Sequence, residues 1–138
     1  MEEVGSSDVR SARELIREHT RPTPIFTSEL LSQMVGCRLA LKAENLQKTG
    51  SFKVRGALNF LLRSDEGIRD RGVVTVSAGN HACATAWAAA RVGAPCTVVM
   101  PETAPRAKVD ASRDYGARIE FREDGRAAFA RALELAEE

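Results

Sequence analysis

The sequence predicts an α/β fold, a parallel sheet with flanking helices, on two observations. In the second half of the chain, short β-branched runs alternate with helix-like stretches, and glycine or proline marks the joints. Strand, helix, strand, helix, strand, helix is the order that parallel strands with crossover connections require. Ahead of this pattern, residues 38–44 alternate enough to suggest one more strand, which feeds a loop and then an amphipathic helix.

Taken in order, Ser7 or Asp8 caps a first helix running to about His19, with Val9, Ala12, Leu15 and Ile16 on one apolar face. His19 in its last turn is read as meeting the helix's negative end. Arg21-Pro22-Thr23-Pro24 forbids helix and crosses as an extended strap. Residues 28–34 read as a short helix ended near Gly36, residues 38–44 as the strand, and 45–50 as its exit loop. Ser51 is the candidate cap of the next helix, whose apolar stripe is Val54, Leu58, Leu61 and Leu62. A polar, glycine-containing break over residues 64–72 is the best domain boundary, dividing the chain into 1–66 and a βαβαβα unit over 72–138. In that unit residues 72–77, 95–100 and 117–121 read as strands, with Ile119 and Phe121 on one face of the last. The helices run from Asn80 to a stop at Gly93, from Pro105 with Thr103 as cap to a stop at Gly116, and from Asp124 onward. Trp87, between Cys83 and Arg91 on the first of these helices, reads as a core or domain-contact residue.

Composition narrows the function classes. The 138 residues, 43% apolar and 28% charged, suit one modest globular core. Lys and Arg total 20 against 19 Asp and Glu, for a net charge of +1 with the signs interspersed, so no field exists to attract nucleic acid or an anionic membrane. Residues 1–8 are acidic and polar where a signal peptide is basic and then apolar, and the apolar region 82–100 is broken by Arg91, Gly93 and Pro95. The expectation is a soluble, cytoplasmic protein with neither nucleic acid nor membrane as partner. Cys37, Cys83 and Cys96 fit neither a disulfide framework nor a CxxC motif and read as reduced, buried thiols; no metal site is expected.

Two stretches carry chemistry. The first is Gly50-Ser51-Phe52-Lys53-Val54-Arg55-Gly56-Ala57. It sets Lys53 at the start of a helix, where the dipole disfavours a cation and any burial adds to that, so a free amine able to attack an aldehyde is favoured. The site lies just past the carboxyl end of the strand, where open α/β sheets bind ligands. The second is Ser77-Ala78-Gly79-Asn80-His81-Ala82, a strand-to-helix turn with free N–H groups, suited to an anion such as an amino acid's carboxylate.

In that order and at that separation, the two motifs resemble the threonine/serine dehydratase group of the fold-type II pyridoxal-phosphate enzymes, whose fold is like that of the tryptophan synthase β chain. The resemblance implies that the chain is the N-terminal part of such a fold, with residues 1–66 opening the large cofactor domain and 72–138 forming most of the small one. It implies pyridoxal 5'-phosphate as cofactor, bound as a Schiff base at Lys53, with Asn80 on the phenolic oxygen of its ring. Ser77 and the turn amides of Ala78, Gly79, Asn80 and His81 are then the holders of a substrate carboxylate, and His81 is an orienting group rather than an acid–base catalyst. Phe52 borders the cofactor by resemblance, and a plain core role stands beside that reading.

Position 78 chooses among reactions. The related serine racemases carry a second serine there as the acid–base group on the opposite substrate face, and Ala78 cannot carry a proton. One-base elimination follows: loss of water and ammonia from threonine or serine to give a 2-oxo acid. A related lyase or racemase on another hydroxy-amino acid is the nearby alternative. Cys83-Ala84 departs from the family's common Gln-Gly. A further alternative is a catalytically silent fragment. Glu134, Glu137 and Glu138 crowd the end of the last helix as though an element were interrupted, and the ten glycines include no run of the kind that holds the cofactor's phosphate in the family. The expected partners are a small amino-acid substrate and either a second copy or a completing chain.

Overall fold

Helix α1 (Ser6–Ile16) starts where Asp8 Oδ2 reaches back to accept from the Gly5 amide at 2.8 Å, so the cap comes from inside the first turn. The computed structural model describes residues 3–138, and Met1 and Glu2 of the polar opening stretch lie outside the described residues. The helix stops at Ile16, short of expectation, and His19 falls in a turn where its own amide and that of Thr20 each donate to Ile16 O at 3.1 Å. Of the predicted apolar face, Ile16 is buried while Val9 and Leu15 face solvent.

The strap is followed by a strand not foreseen, β1 (Ile25–Thr27), whose antiparallel partner is β2 (Ala40–Lys42), with Phe26 opposite Leu41. The stretch read as one longer strand from Arg38 is thus three residues of strand, and its neighbour is local. Between them α2 (Glu29–Val35) is capped by Ser28 Oγ, which accepts from the Leu31 amide at 3.2 Å, and is ended by Gly36 at φ 68°. Two single turns of 3₁₀ helix, Glu44–Leu46 and Lys48–Gly50, fill the exit loop.

Helix α3 (Lys53–Arg63) buries Val54, Leu58 and Leu61, the predicted stripe, with Leu62 partly covered. Ser51 is not its cap. Phe52 takes that position with a helical φ and ψ, and the Ser51 hydroxyl is buried with no hydrogen-bond partner. The polar break folds into a short helix, α4 (Glu66–Arg71), because Asp65 Oδ1 accepts from the Ile68 amide at 2.9 Å. Gly72 then adopts φ 89° and ψ −170°, a region open to glycine alone, and a Cβ there would lie 2.8 Å from Pro95 O. That close approach starts the sheet, since the Val73 amide donates to Pro95 O at 2.9 Å.

From there the chain runs β3 (Val73–Val76), α5 (Asn80–Val92), β4 (Cys96–Pro101), α6 (Arg106–Asp114), β5 (Arg118–Arg122) and α7 (Gly125–Glu137). The strands lie in the order β3-β4-β5, all parallel, with Thr75 beside Val98 and Val98 beside Ile119. This is the βαβαβα order the hydrophobic pattern predicts. Helix α6 differs at its start: Pro105 occupies the cap position with no side-chain bond, so Thr103 does not cap it. Asp124 does cap α7, its Oδ1 accepting from the Ala127 amide at 2.8 Å. Val98, Val99 and Met100 of the central strand are fully buried, and α5 is buried without interruption from Ala82 to Ala89, Trp87 included. Cys83 and Cys96 are buried, but Cys37 is exposed, contrary to expectation. No helix of the described residues is long and apolar enough to cross a membrane.

Candidate active site

The chain delivers Lys53 through a polar clamp. The Gln47 side chain closes a pair of bonds with the strap, accepting from the Arg21 amide at 3.0 Å and donating to Arg21 O at 2.7 Å. Glu44 is the hub: its carboxylate accepts from Arg55 Nε at 2.9 Å, from an Arg55 terminal nitrogen at 2.8 Å and from Thr23 Oγ1 at 2.6 Å. Lys42 Nζ adds bonds to Thr23 O at 2.9 Å and Thr23 Oγ1 at 2.6 Å. The Arg55 hydrogen bonds, helped by Thr23 and the two cations and opposed by burial, hold the Glu44 carboxyl down at about 2. Strap, loop and first turn of α3 are therefore one bonded unit. Within the loop Thr49 adopts φ 58° and Gly50 φ 72°, so the two residues before Ser51 both turn left-handed.

Lys53 is the first residue of α3, as its sequence position predicts. It is exposed, so the burial half of that expectation is not met, and its Nζ sits 5.2 Å from the centre of the Phe52 ring. Phe52 is exposed as well, which removes the plain core role.

The second motif forms the predicted turn. Strand β3 ends at Val76, the Ser77 amide still donates to Val99 O at 3.3 Å, and α5 opens at Asn80 with Gly79 as cap residue. Ser77 Oγ accepts from the Gly79 amide at 3.1 Å, which shapes the turn and, contrary to expectation, leaves the Gly79 amide engaged within it rather than free for a carboxylate. Among the described residues the amides of Ala78, Asn80 and His81 make no hydrogen bond, and α5 points its positive end at them. Asn80 and His81 are exposed. Partial burial, and then the charge of Lys53, push the His81 imidazole below its ordinary value. Helices α3 and α5 pack against each other, so Lys53 at the start of one and the turn at the start of the other belong to neighbouring elements. An open cleft of about 810 Å³ lies along β3 and the end of α7; Gly56 and Ala57, one turn beyond Lys53, and His81 and Thr85 reach its wall, while Lys53 and residues 77–80 do not line it.

Two features escaped the sequence reading. One is the clamp of Thr23, Glu44, Gln47 and Arg55; its signal was Arg55 inside the first motif, two residues from Lys53, with acidic and amide partners in the loop before it. The other is Lys108 on α6, whose Nζ lies 2.6 Å from Asn80 Oδ1. Nothing in its local pattern marks it. Cys83, where the sequence departs from the expected pattern, is buried against α6, its Sγ 3.7 Å from Lys108 O and from Ser112 Oγ.

The comparisons bear on what this arrangement is. L-threo-3-hydroxyaspartate ammonia-lyase of Pseudomonas sp. is 50% identical over 114 residues, which is 83% of this chain and 36% of the relative. L-threonine ammonia-lyase of Geobacter sulfurreducens is 44% identical over 80% of this chain and 28% of its own length. Among solved structures, a pyridoxal 5'-phosphate-dependent aspartate racemase superposes with a TM-score of 0.90 at 44% identity, covering 99% of this chain and 44% of that one. The chain thus spans about a third of the length of the curated relatives it matches. A family model described as pyridoxal-phosphate dependent enzyme matches residues 16–138, and with both motifs in place the chain belongs to the pyridoxal-phosphate-dependent enzyme family.

Proposed function

We propose that this chain carries the catalytic lysine and the substrate-carboxylate turn of an ammonia-lyase acting on a 3-hydroxy amino acid. The observation that carries the reading is that α3, which Lys53 opens, packs against α5, whose start forms the turn at residues 77–81. The donor set suits an anionic aromatic aldehyde and an amino acid: one amine, one side-chain amide, free backbone N–H groups and a helix N-terminus. Neither Lys53 nor Lys108 takes part in an ion pair among the described residues, so the positive field is not neutralised from within.

Lys53 would hold the aldehyde carbon of pyridoxal phosphate, Asn80 its ring hydroxyl, and Phe52 would border the ring. When bound, the cofactor supplies an electron sink for the carbanion at the substrate's α-carbon. The free amides of Ala78, Asn80 and His81, with Ser77, bind the substrate carboxylate and so aim the α-hydrogen. Freed by the substrate's amine, Lys53 Nζ takes that hydrogen as a proton and passes it to the β-hydroxyl. The pair it leaves forms the Cα–Cβ double bond, the β-hydroxyl departs as water, and the released enamine hydrolyses to a 2-oxo acid and ammonia. Ala78 offers no group to return a proton on the other face, which favours elimination over racemisation. His81, kept neutral by its surroundings, orients the turn without adding charge.

Threonine and serine are the substrates the motifs suggest, and the hydroxyaspartate-acting relative adds 3-hydroxyaspartate as the third to try. The test is a 2-oxo acid assay with all three in the presence of pyridoxal phosphate, alongside the cofactor's visible absorption on binding. Lys53→Ala is expected to abolish both signals. D-amino acid accumulating without 2-oxo acid would replace elimination by racemisation. One observation favours a second reading, that of a catalytically silent piece: the chain spans about a third of its relatives. Wild-type chain that leaves the cofactor spectrum unchanged is the outcome expected of it.

The same reading assigns residues 1–66 to the cofactor-bearing part and 72–138 to a smaller α/β unit. It also takes a second copy or a completing chain as the cover for the exposed apolar side chains of β1, α2 and β2. Ile25, Leu30, Met34 and Leu41 are the plainest of these.

A further inference from the structure

We propose that Lys108 is a positioning residue that fixes the side-chain amide of Asn80 with its NH₂ group facing the cofactor site; this rests on the reading of Asn80 given above. Lys108 Nζ lies 2.6 Å from Asn80 Oδ1. An ammonium group donates only, so the Asn80 atom it meets must be the carbonyl oxygen. The amide is planar and its oxygen is engaged from the α6 side. Its two N–H donors therefore point the other way, the polarity needed to donate to an ionised ring oxygen.

The base of Lys108 is held as firmly as its tip. Its carbonyl accepts from Ser112 Oγ at 2.8 Å, and Ser112 is fully buried. Cys83 Sγ lies 3.7 Å from the same carbonyl and from Ser112 Oγ, so the turn of α6 that carries Lys108 packs directly on the first turns of α5. Cys83, at the departure from the family pattern, thus belongs to the seat of Lys108. The lysine gains nothing from its setting otherwise, for it faces the positive end of α5 and meets no carboxylate among the described residues. A cation held there by an amide oxygen serves a negative charge brought by a ligand, and the same cation favours ionisation of the ring oxygen that Asn80 would contact.

The test uses Lys108→Met, Lys108→Arg, Asn80→Ala and the Lys108→Met/Asn80→Ala double variant, with folding checked by circular dichroism. In cofactor-free chain labelled at asparagine with ¹⁵N, Lys108→Met should move the side-chain NH₂ resonances of Asn80 and leave those of Asn45 and Asn59 in place. Lys108→Arg should restore most of the shift. In titrations with pyridoxal 5'-phosphate followed by absorbance, Lys108→Met should weaken binding about tenfold, as loss of a charge-assisted hydrogen bond does. Lys108→Arg should stay within about twofold, and the double variant should be no weaker than Asn80→Ala, since the two residues act as a unit. Unmoved Asn80 resonances, unchanged affinity in Lys108→Met where Asn80→Ala is weakened, or additive losses in the double variant each overturn the positioning role alone. No cofactor binding by wild type, or undiminished binding by Asn80→Ala, overturns the reading of the site and the proposal with it.

Discussion

The chain before Gly72 and the chain after it are held together by different physics. After Gly72, three parallel strands and an alanine-rich helix exclude water around Val98, Val99 and Met100. Before it, two three-residue strands and α2 turn Ile25, Phe26, Leu30, Met34 and Val35 to solvent. What fixes that part is directional: the bonds of Gln47 to the strap and of Glu44 to Arg55 and Thr23. Helix α3 joins the two regimes, since Val54, Leu58 and Leu61 enter the common core while Arg55 on its other face enters the clamp. The loop that leads to the lysine thus takes its place from polar geometry, and the turn at the start of α5 takes its place from packing.

If that contrast holds, the largest effect belongs to the core. Met100→Ala should cost about 3 kcal/mol in chemical denaturation, because a fully buried side chain leaves a cavity. A loss below about 1 kcal/mol would show that the sheet collapses around the gap and is not the rigid half.

The clamp comes next, and its signature is acid sensitivity. The Glu44 carboxyl is lowered from 4.5 to about 2, so its contribution is complete above 4.5 and is lost as pH falls from there toward 2. A fifth of the side chain remains exposed, and with solvent screening the amount is about 1–2 kcal/mol. Glu44→Gln should lower stability by that much at neutral pH and flatten the acid limb, with earlier hydrogen exchange at the strap amides. Equal acid limbs in both proteins would remove Glu44 as the hub.

The smallest effect is expected of Met34→Ser, on the exposed face of α2: within about 0.5 kcal/mol, with less self-association in sedimentation. A loss of several times that would mean the face is already covered.

The two regimes also differ in how well the sequence announces them. Short strands bounded by Gly72, Gly93, Pro95 and Gly116 have a period and punctuation that can be read without coordinates, and all three lie where that pattern puts them, although only β4 is largely buried and β3 is half-buried. Both chemical motifs were legible for the same reason, each sitting at a helix start that its residues define. The first half was read less well because long-range side-chain bonds decide it. Nothing local in Ile25-Phe26-Thr27 says that Leu41 lies opposite, nor that Ser51 yields the cap position to Phe52. Residues 64–72 looked like a break because polarity and glycine mark loops, yet Asp65 supplies a cap and a helical turn forms. Lys108 illustrates the remaining limit, since its partner Asn80 lies one strand and one helix earlier.

The make-up of α5 reaches further than its burial. Ala82, Ala84, Ala86, Ala88 and Ala89 lose no rotamers when enclosed, so five of that helix's 13 residues become rigid without a side-chain entropy cost. Heating raises the weight of such costs for the long arginine, glutamate and glutamine side chains that tether the strap, and leaves the alanine rod untouched by them. Warming the chain should therefore free the loop that presents the amine while the bend at the tip of α5 still keeps its shape.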